Sequence, residues 1–346
     1  MWCMRLTAGL AAMTVGVMLW APVQAQVIRE VEPGLAPYNN GSGRLTGDVM
    51  IGASETLRKL VDLWSEEFRA HHRGVEVRND LIKDVQAVKA FARGVKPVVE
   101  GADIVALSYP LTEQERLDIK AGLGREPIAI PVALDGLVIY VNHKNPLKGL
   151  TLDQVAKIFS VPPDQPGGVA TWDQLDVGGH LRGREMNFYV RGDESGTYAA
   201  FKEMALKGRE QVRTPYVQSG SRSVALEVGS DEFGIGYGAM GFATKKVRVL
   251  PLAKGEGQPF VPATNQTVAA GDYPLVRQLY VYVVPDANGT VKPTVKEFLA
   301  YVLSRDGQRV VLEDGFVPLP ARLIEQARYK LDGFGSVAAV SLAAPK

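Results

Sequence analysis

Residues 186–206 constrain the fold more tightly than any other stretch. Met186 to Val190 is a short apolar run that reads as a strand, and Tyr198 to Leu206 has helical spacing. Arg191-Gly192-Asp193-Glu194-Ser195-Gly196-Thr197 must make the turn between them. Ser195, Gly196 and Thr197 therefore stand at a helix N-terminus, where the first N–H groups lack an intrahelical partner and the helix dipole leaves partial positive charge. Hydroxyls can donate there, a glycine admits a ligand close to the backbone, and Arg191 can add a planar fork of N–H donors. The combination describes a pocket for a small tetrahedral or planar anion. The same residues also suit an ordinary capped turn beside a surface arginine, so the rest of the chain has to decide.

A second strand, turn and helix of the same kind precedes it. Gly47 to Ile51 is a short apolar-biased strand, followed by Gly52-Ala53-Ser54-Glu55-Thr56, and then Leu57, Leu60, Val61, Trp64 and Phe68 recur at the spacing of one buried helical face. Two such turns can aim backbone N–H groups at one cleft, although Glu55 and Thr56 also serve as good first-turn residues. Further on, Ala102 to Leu107 reads as a strand ending at Ser108, the carboxyl-end position where open parallel sheets hold ligands. Ser108 is thus a candidate donor.

Strand and helix patterns alternate through the remaining length. Val75 to Val77 reads as a strand and Val85 to Ala92 as a helix. Ile128 to Pro131 and Leu137 to Val141 are two apolar runs around Leu134-Asp135-Gly136, and Thr151 is placed to cap a helix over Leu152 to Phe159. Val224 to Val228 reads as helix, Gly234 to Gly238 as a small-residue strand, Tyr280 to Val284 as another strand and Val295 to Leu303 as a long helix. The alternation indicates an α/β architecture. With 346 residues, 46% apolar content and 22% charge, the chain has room for two lobes. A formal net charge of +1 gives no bulk attraction for nucleic acid or an anionic membrane, so attraction for an anion must be local.

The first residues carry a targeting pattern. Arg5 precedes the apolar run Leu6 to Trp20, and Val23-Gln24-Ala25 puts small residues before a cut ahead of Gln26, so residues 1–25 are expected to be a cleaved secretory signal peptide. The run is short of the ~20 residues of a spanning helix. The single cysteine, Cys3, falls inside it, which removes thiol nucleophiles, thiolate metal sites and disulfides from the expected mature protein. Residues 26–44, rich in Pro, Gly and Asn, read as a leader or linker, and 331–346 as a fraying tail. His71, His72, His143 and His180 have no metal-ligand spacing, and His71-His72 reads as a helix-end pair. Neither a metal nor a cofactor is expected. Ser195 lacks a Gly-x-Ser-x-Gly elbow and a neighbouring histidine, which argues against a catalytic serine.

In order, the segments Gly52-Ala53-Ser54-Glu55-Thr56, Ala102-Asp103-Ile104 ending at Ser108, Ala133-Leu134-Asp135-Gly136, Arg191 with Ser195-Gly196-Thr197, Gly234-Ile235-Gly236-Tyr237 and Tyr273-Pro274-Leu275-Val276-Arg277 resemble the phosphate-binding protein family of bacterial ABC importers. The resemblance spans about 45–325 and implies a two-lobed periplasmic-binding-protein fold of type II, with two crossover strands and a central anion cleft. It implies lobe I from 45–132 with 243–330 and lobe II from 133–242, a monomer in the periplasm, and delivery of inorganic phosphate to a membrane permease and ATPase. Carried over by position, the ligand residues are Ser54, Glu55, Thr56, Ser108, Arg191, Ser195, Gly196 and Thr197.

Two departures stand out. Many relatives have an acidic residue next to the serine, and this chain has Tyr109; many have a Gly/Ser-rich turn where this chain has Asn79 to Asp84, so that donor is lost or replaced by Asn79 or Lys83. An acceptor-only carboxylate lets such a site demand a protonated anion, so the identity of the anion stays open. Three classes of function follow: a phosphate-capturing transport receptor, a binding protein for another oxyanion or a sensory or surface protein without transport, and a phosphoester hydrolase using Ser195 or a water.

Overall fold

A computed structural model describes residues 31–40, 44–92, 102–161, 165, 168–211, 216–283, 285 and 290–332. The expected signal peptide and most of the expected tail lie outside the described residues. In chain order the elements are β1 (Gly47–Ser54), α1 (Arg58–His71), β2 (Val75–Ile82), α2 (Asp84–Ala92), β3 (Ile104–Leu107), α3 (Glu113–Leu123) and β4 (Ile128–Asn142). Then come β5 (Leu150–Thr151), α4 (Leu152–Ser160), β6 (Asn187–Arg191), α5 (Gly196–Met204), β7 (Tyr216–Gln218), α6 (Ser221–Ser230) and β8 (Gly234–Ala239). The last are β9 (Val247–Val249), β10 (Leu252–Ala253), α7 (Asn265–Ala270), β11 (Val276–Val283), α8 (Pro293–Val302), α9 (Arg305–Glu313) and α10 (Ala321–Asp332).

The strands run in the order β2-β1-β3-β11-β4-β8-β6-β7, with β9 also paired to β4. β1 lies parallel to β2 and β3, and β6 lies parallel to β7 and β8. Each half of the sheet thus has strands ending in the same direction, joined by helical crossovers, as the alternating pattern requires. The two apolar runs around Asp135 form one strand. Ile128 to Gly136 of β4 pairs with β11, and Leu137 to Val141 pairs with β8, so a single strand carries the chain from one half to the other. The return passes through 254–275, including α7, into β11.

Where β4 meets β11 the register slips, Leu279 facing Ala133 and Tyr280 facing Pro131. Pro131 has no N–H to offer a ladder, and the bulge leaves Val132 without a register partner. Its carbonyl is taken by Gln308 Nε2 at 3.0 Å, while Gln308 Oε1 accepts from Leu319 N at 2.8 Å, which ties α9 and the segment before α10 to the crossing strand.

The predicted face of α1 is buried as expected: Leu57, Leu60, Val61, Trp64 and Phe68 are all in the core. Trp64 gives its indole N–H to Gly307 O at 2.8 Å, so the largest side chain on that face is also satisfied. In the other half Phe201 of α5 stacks on Tyr237 of β8 with centroids 3.8 Å apart, and Phe159 of α4 sits edge-on to both. Thr151 caps α4 in a full capping box with Gln154, as its position before the apolar pattern suggested.

The structure differs from the sequence reading in three places. β2, read from Val75 to Val77, continues to Ile82, into the stretch where many relatives have a Gly/Ser-rich turn. β9 and β10 pair with Tyr140–Asn142 of β4 and with β5, so Val247 to Ala253 packs with the β4-β8-β6 half, although 243 was the expected start of the return to lobe I. Finally, 31–40 is not a free leader. Leu35 is buried, Arg305 N donates to Ala36 O at 2.9 Å, and Tyr38 N donates to Asp306 Oδ2 at 2.6 Å. His72, read with His71 as a helix-end pair, is the C-cap of α1, and its ring is buried against Tyr38.

Candidate functional site

Arg191 is the last residue of β6, and the two parallel neighbours of that strand leave it at the carboxyl edge of the sheet. Its guanidinium is buried and tied down. Nη2 donates to Ser219 O at 3.0 Å and Nη1 to Ser221 Oγ at 3.3 Å. Nη1 also lies 3.3 Å from Glu55 Oε2, an ion-pair contact without hydrogen-bond geometry, since that oxygen has no donor among the described residues. Arg191 Nε is buried with no partner among the described residues, a donor still to be spent.

After Arg191 the chain turns through a Ser195 N to Gly192 O bond of 3.0 Å, and α5 begins at Gly196. Ser195 is the N-cap, its Oγ accepting from Thr197 N at 3.1 Å. Its hydroxyl is therefore committed to the helix, and its proton remains to be given. Gly196 N points the other way, toward the opposing half.

The opposing loop is the end of β1. Ser54 is fully buried and its Oγ has no partner among the described residues, while Thr56 Oγ1 lies 3.2 Å from Thr197 Oγ1. The N-cap of α1 is Leu57, without a side-chain cap. Neither hydroxyl is consumed in capping α1, which the first-turn reading of this loop had left open. Gly220, the N-cap of α6, faces the carboxylate of Glu55, and a Cβ there would overlap it.

Ser108 follows β3 and completes the ring. Its N–H donates to Asp84 Oδ1 at 2.8 Å and its Oγ lies 3.3 Å from both carboxylate oxygens. Asp84 Oδ2 in turn accepts from Gly196 N at 3.2 Å. Tyr109, which stands where an acidic neighbour was expected, turns away to donate to Glu115 at 3.0 Å. Neither residue named as a replacement donor reaches the ring: Asn79 bonds Asp62 at 2.8 Å, and Lys83 pairs with Glu194 at the rim. The carboxylate beside Ser108 comes instead from Asp84 at the start of α2.

Six of the eight sequence-derived residues are thus linked to one another, through Arg191–Glu55, Thr56–Thr197 and Ser108–Asp84–Gly196; Ser195 joins them only through its bond from Thr197 N, and Ser54 only as the chain neighbour of Glu55. Sequence reasoning missed Asp84 and Arg277. Arg277, the second residue of β11, places Nη2 3.2 Å from Thr197 Oγ1 and is held by Asp135 of β4, with Nη1 buried and unpartnered among the described residues. A buried acid and a buried base in adjacent strands were a signal in the sequence, but 142 residues separate them.

The electrostatics follow from burial and these pairs. Burial pushes the Glu55 carboxyl above its usual range, against the pull of Arg191, and pushes Asp84 up against hydrogen bonds from Ser108 and Gly196. Burial likewise lowers the Arg191 pKa, with Glu55 opposing. Two guanidiniums and the hydroxyls of Ser54, Thr56, Ser108 and Thr197 gather here with the carboxylates of Glu55 and Asp84. Such a set can hold a small oxyanion that brings at least one acceptor to each guanidinium.

Two α/β halves joined by a crossing strand, with Arg191 and a helix N-terminus facing a Ser-Glu-Thr loop, define a two-lobed substrate-binding protein of the periplasmic-binding-protein kind. Residues 39–306 match the PBP superfamily domain. The chain is 35% identical over 325 residues to the phosphate-binding protein PstS of Pseudomonas aeruginosa, covering 93% of this chain and 97% of that one. It is 28% identical over 317 residues to protein SphX of Synechococcus elongatus, 90% of this chain and 89% of that one. The chain belongs to the phosphate-binding protein family of ABC importers, within the PBP superfamily. In fold it is similar to a putative phosphate ABC transporter substrate-binding protein with bound phosphate from Clostridium perfringens, with a TM-score of 0.65 at 22% identity, over 79% of this chain and 100% of that one. It is also similar to a possible phosphate-binding protein from Planctomyces limnophilus, with a TM-score of 0.60 at 22% identity, over 84% of this chain and 99% of that one.

Proposed function

We propose that this protein is a periplasmic receptor that captures inorganic phosphate between its lobes and delivers it to a permease and ATPase in the inner membrane, acting as a monomer. The observation that carries the reading is the buried guanidinium of Arg191 facing the Ser54–Thr56 loop, beside the N-terminus of α5. Phosphate supplies four acceptor oxygens to the unspent donors Arg191 Nε, Arg277 Nη1 and Ser54 Oγ. The full-length likeness to a phosphate-binding protein supports the same choice of anion.

A hydrolase reading has less support. Ser195 Oγ is the helix cap, His72 is bonded to Tyr38, and His143 lies against the Lys246 carbonyl, so none of these supplies Ser195 with a base. The acid on α2 and Tyr109 bear on which anion is taken. Calorimetric titration with phosphate, arsenate, sulfate and molybdate tests this directly: phosphate is expected to bind most tightly, and preference for sulfate or molybdate would reassign the ligand.

A further inference from the structure

Asp84 does something in this cleft that a ligand donor does not. Its carboxylate is buried and accepts from Ser108 N, after β3 in one half, and from Gly196 N, the first residue of α5 in the other. A carboxylate is itself a small oxyanion, and these two N–H groups are of the kind an anion at a helix start would use. Asp84 makes no salt bridge among the described residues. The charged and titratable groups around it are Arg277 from β11, Arg191 from β6, Glu55 from the loop after β1 and Tyr109 from the loop after β3. Around this contact the same two halves are joined by Thr56 with Thr197 and by Gln86 and Lys83 with Glu194. The fit is close: a Cβ added at Gly196 would come within 2.8 Å of Asp84 Cγ.

We propose that Asp84 is a built-in anion that latches the two lobes together and competes with the incoming ligand for the Ser108 and Gly196 donors. The proposal rests on the anion-cleft reading above. A guest that takes those donors must displace the carboxylate and also enter beside its charge and that of Glu55. The latch therefore keeps the lobes together before capture and weakens anion affinity relative to the same donor set without it.

The test uses the full chain with Asp84→Asn and, as a second variant that removes the acceptor, Asp84→Ala. Distance distributions between spin labels attached through Lys120→Cys on α3 and Lys157→Cys on α4 report lobe separation, and calorimetry reports phosphate affinity. Without phosphate, the parent is expected to give one short, narrow distribution, and both variants a longer and broader one. Phosphate is expected to bind both variants at least tenfold more tightly. Unchanged distances would overturn the latch. Unchanged affinity would overturn the competition, and weaker binding would make Asp84 an acceptor for a proton on the anion. If neither parent nor variants bind phosphate, the phosphate reading fails while the distances still decide the latch.

Discussion

Arg277 and Asp135 form a fully buried pair, Nε and Nη2 both lying on Asp135 Oδ2 at 2.9 and 2.8 Å. Burial alone pushes the Asp135 carboxyl up, and Arg277 beside it pulls it back, as does a bond from Met240 N at 3.2 Å. The pair fixes the guanidinium on β11 while its Nη2 reaches Thr197 across the cleft at 3.2 Å. Asp135→Asn leaves that guanidinium buried without a countercharge and is expected to lower the unfolding free energy by about 3–5 kcal/mol. Replacing both partners, with Asp135→Leu and Arg277→Met, should recover most of the loss in urea unfolding. Anion affinity is expected to stay low in the double variant, because the donor next to Thr197 is gone.

Arg191 gives a prediction on binding alone. Its guanidinium is anchored by Ser219 and Ser221, with Nε unspent, so Arg191→Ala removes a charged donor and is expected to weaken phosphate binding by at least ~1.5 kcal/mol. Arg191→Lys should restore little of it, since an ammonium cannot hold the two serine contacts and also reach the ligand. Calorimetry on the three proteins decides this, and equal affinities would remove Arg191 from the site.

Much of this was legible in the sequence, for local reasons. A strand, a polar turn and a helix start are set by a few adjacent residues, so Arg191 with Ser195 to Thr197 and the Ser54 to Thr56 loop could be read off directly. Asp84 could not, because an acid at the start of a helix ordinarily serves the dipole and stays in solvent. It lines the cleft only because β2 runs on to Ile82 and sets α2 directly behind it. The lobe boundary was hidden for a related reason. Val247 to Val249 is a short apolar run with two edges available, and only the free side of β4 at Tyr140 to Asn142 decides which half it joins.

Gly196 sets how close the halves come. An alanine is the better helix former by about 1 kcal/mol, so a gain would be expected on propensity alone. Its Cβ would instead meet Asp84 Cγ and Tyr109 Cδ1, each at 2.8 Å, besides Ser108 Oγ. Gly196→Ala is therefore expected to destabilise by about 1–3 kcal/mol and to weaken phosphate binding at least tenfold. A variant with a raised melting temperature and parental affinity would mean the halves do not meet here in solution.

The contact between the N-terminal segment and α1 predicts a pH dependence. Tyr38 donates its hydroxyl proton to Glu297 at 2.6 Å and lies 2.5 Å from His72 Nε2, so Nε2 must carry the proton that joins the two rings, and the imidazole is satisfied while neutral. Burial lowers the His72 pKa below its usual 6.5, outweighing the attraction of Glu297, and His71 adds to the lowering. Between the folded value and 6.5 the unfolded chain binds more protons than the folded one, so stability rises with pH across that window. The contribution is complete above 6.5 and is lost as pH falls through 6.5 toward the folded value. The urea midpoint of the parent is accordingly expected to drop between about pH 7.5 and pH 5.5 by more than that of His72→Gln, whose amide can still donate to Tyr38 but does not titrate. Parallel pH profiles for the two proteins would show that His72 protonates as readily folded as unfolded.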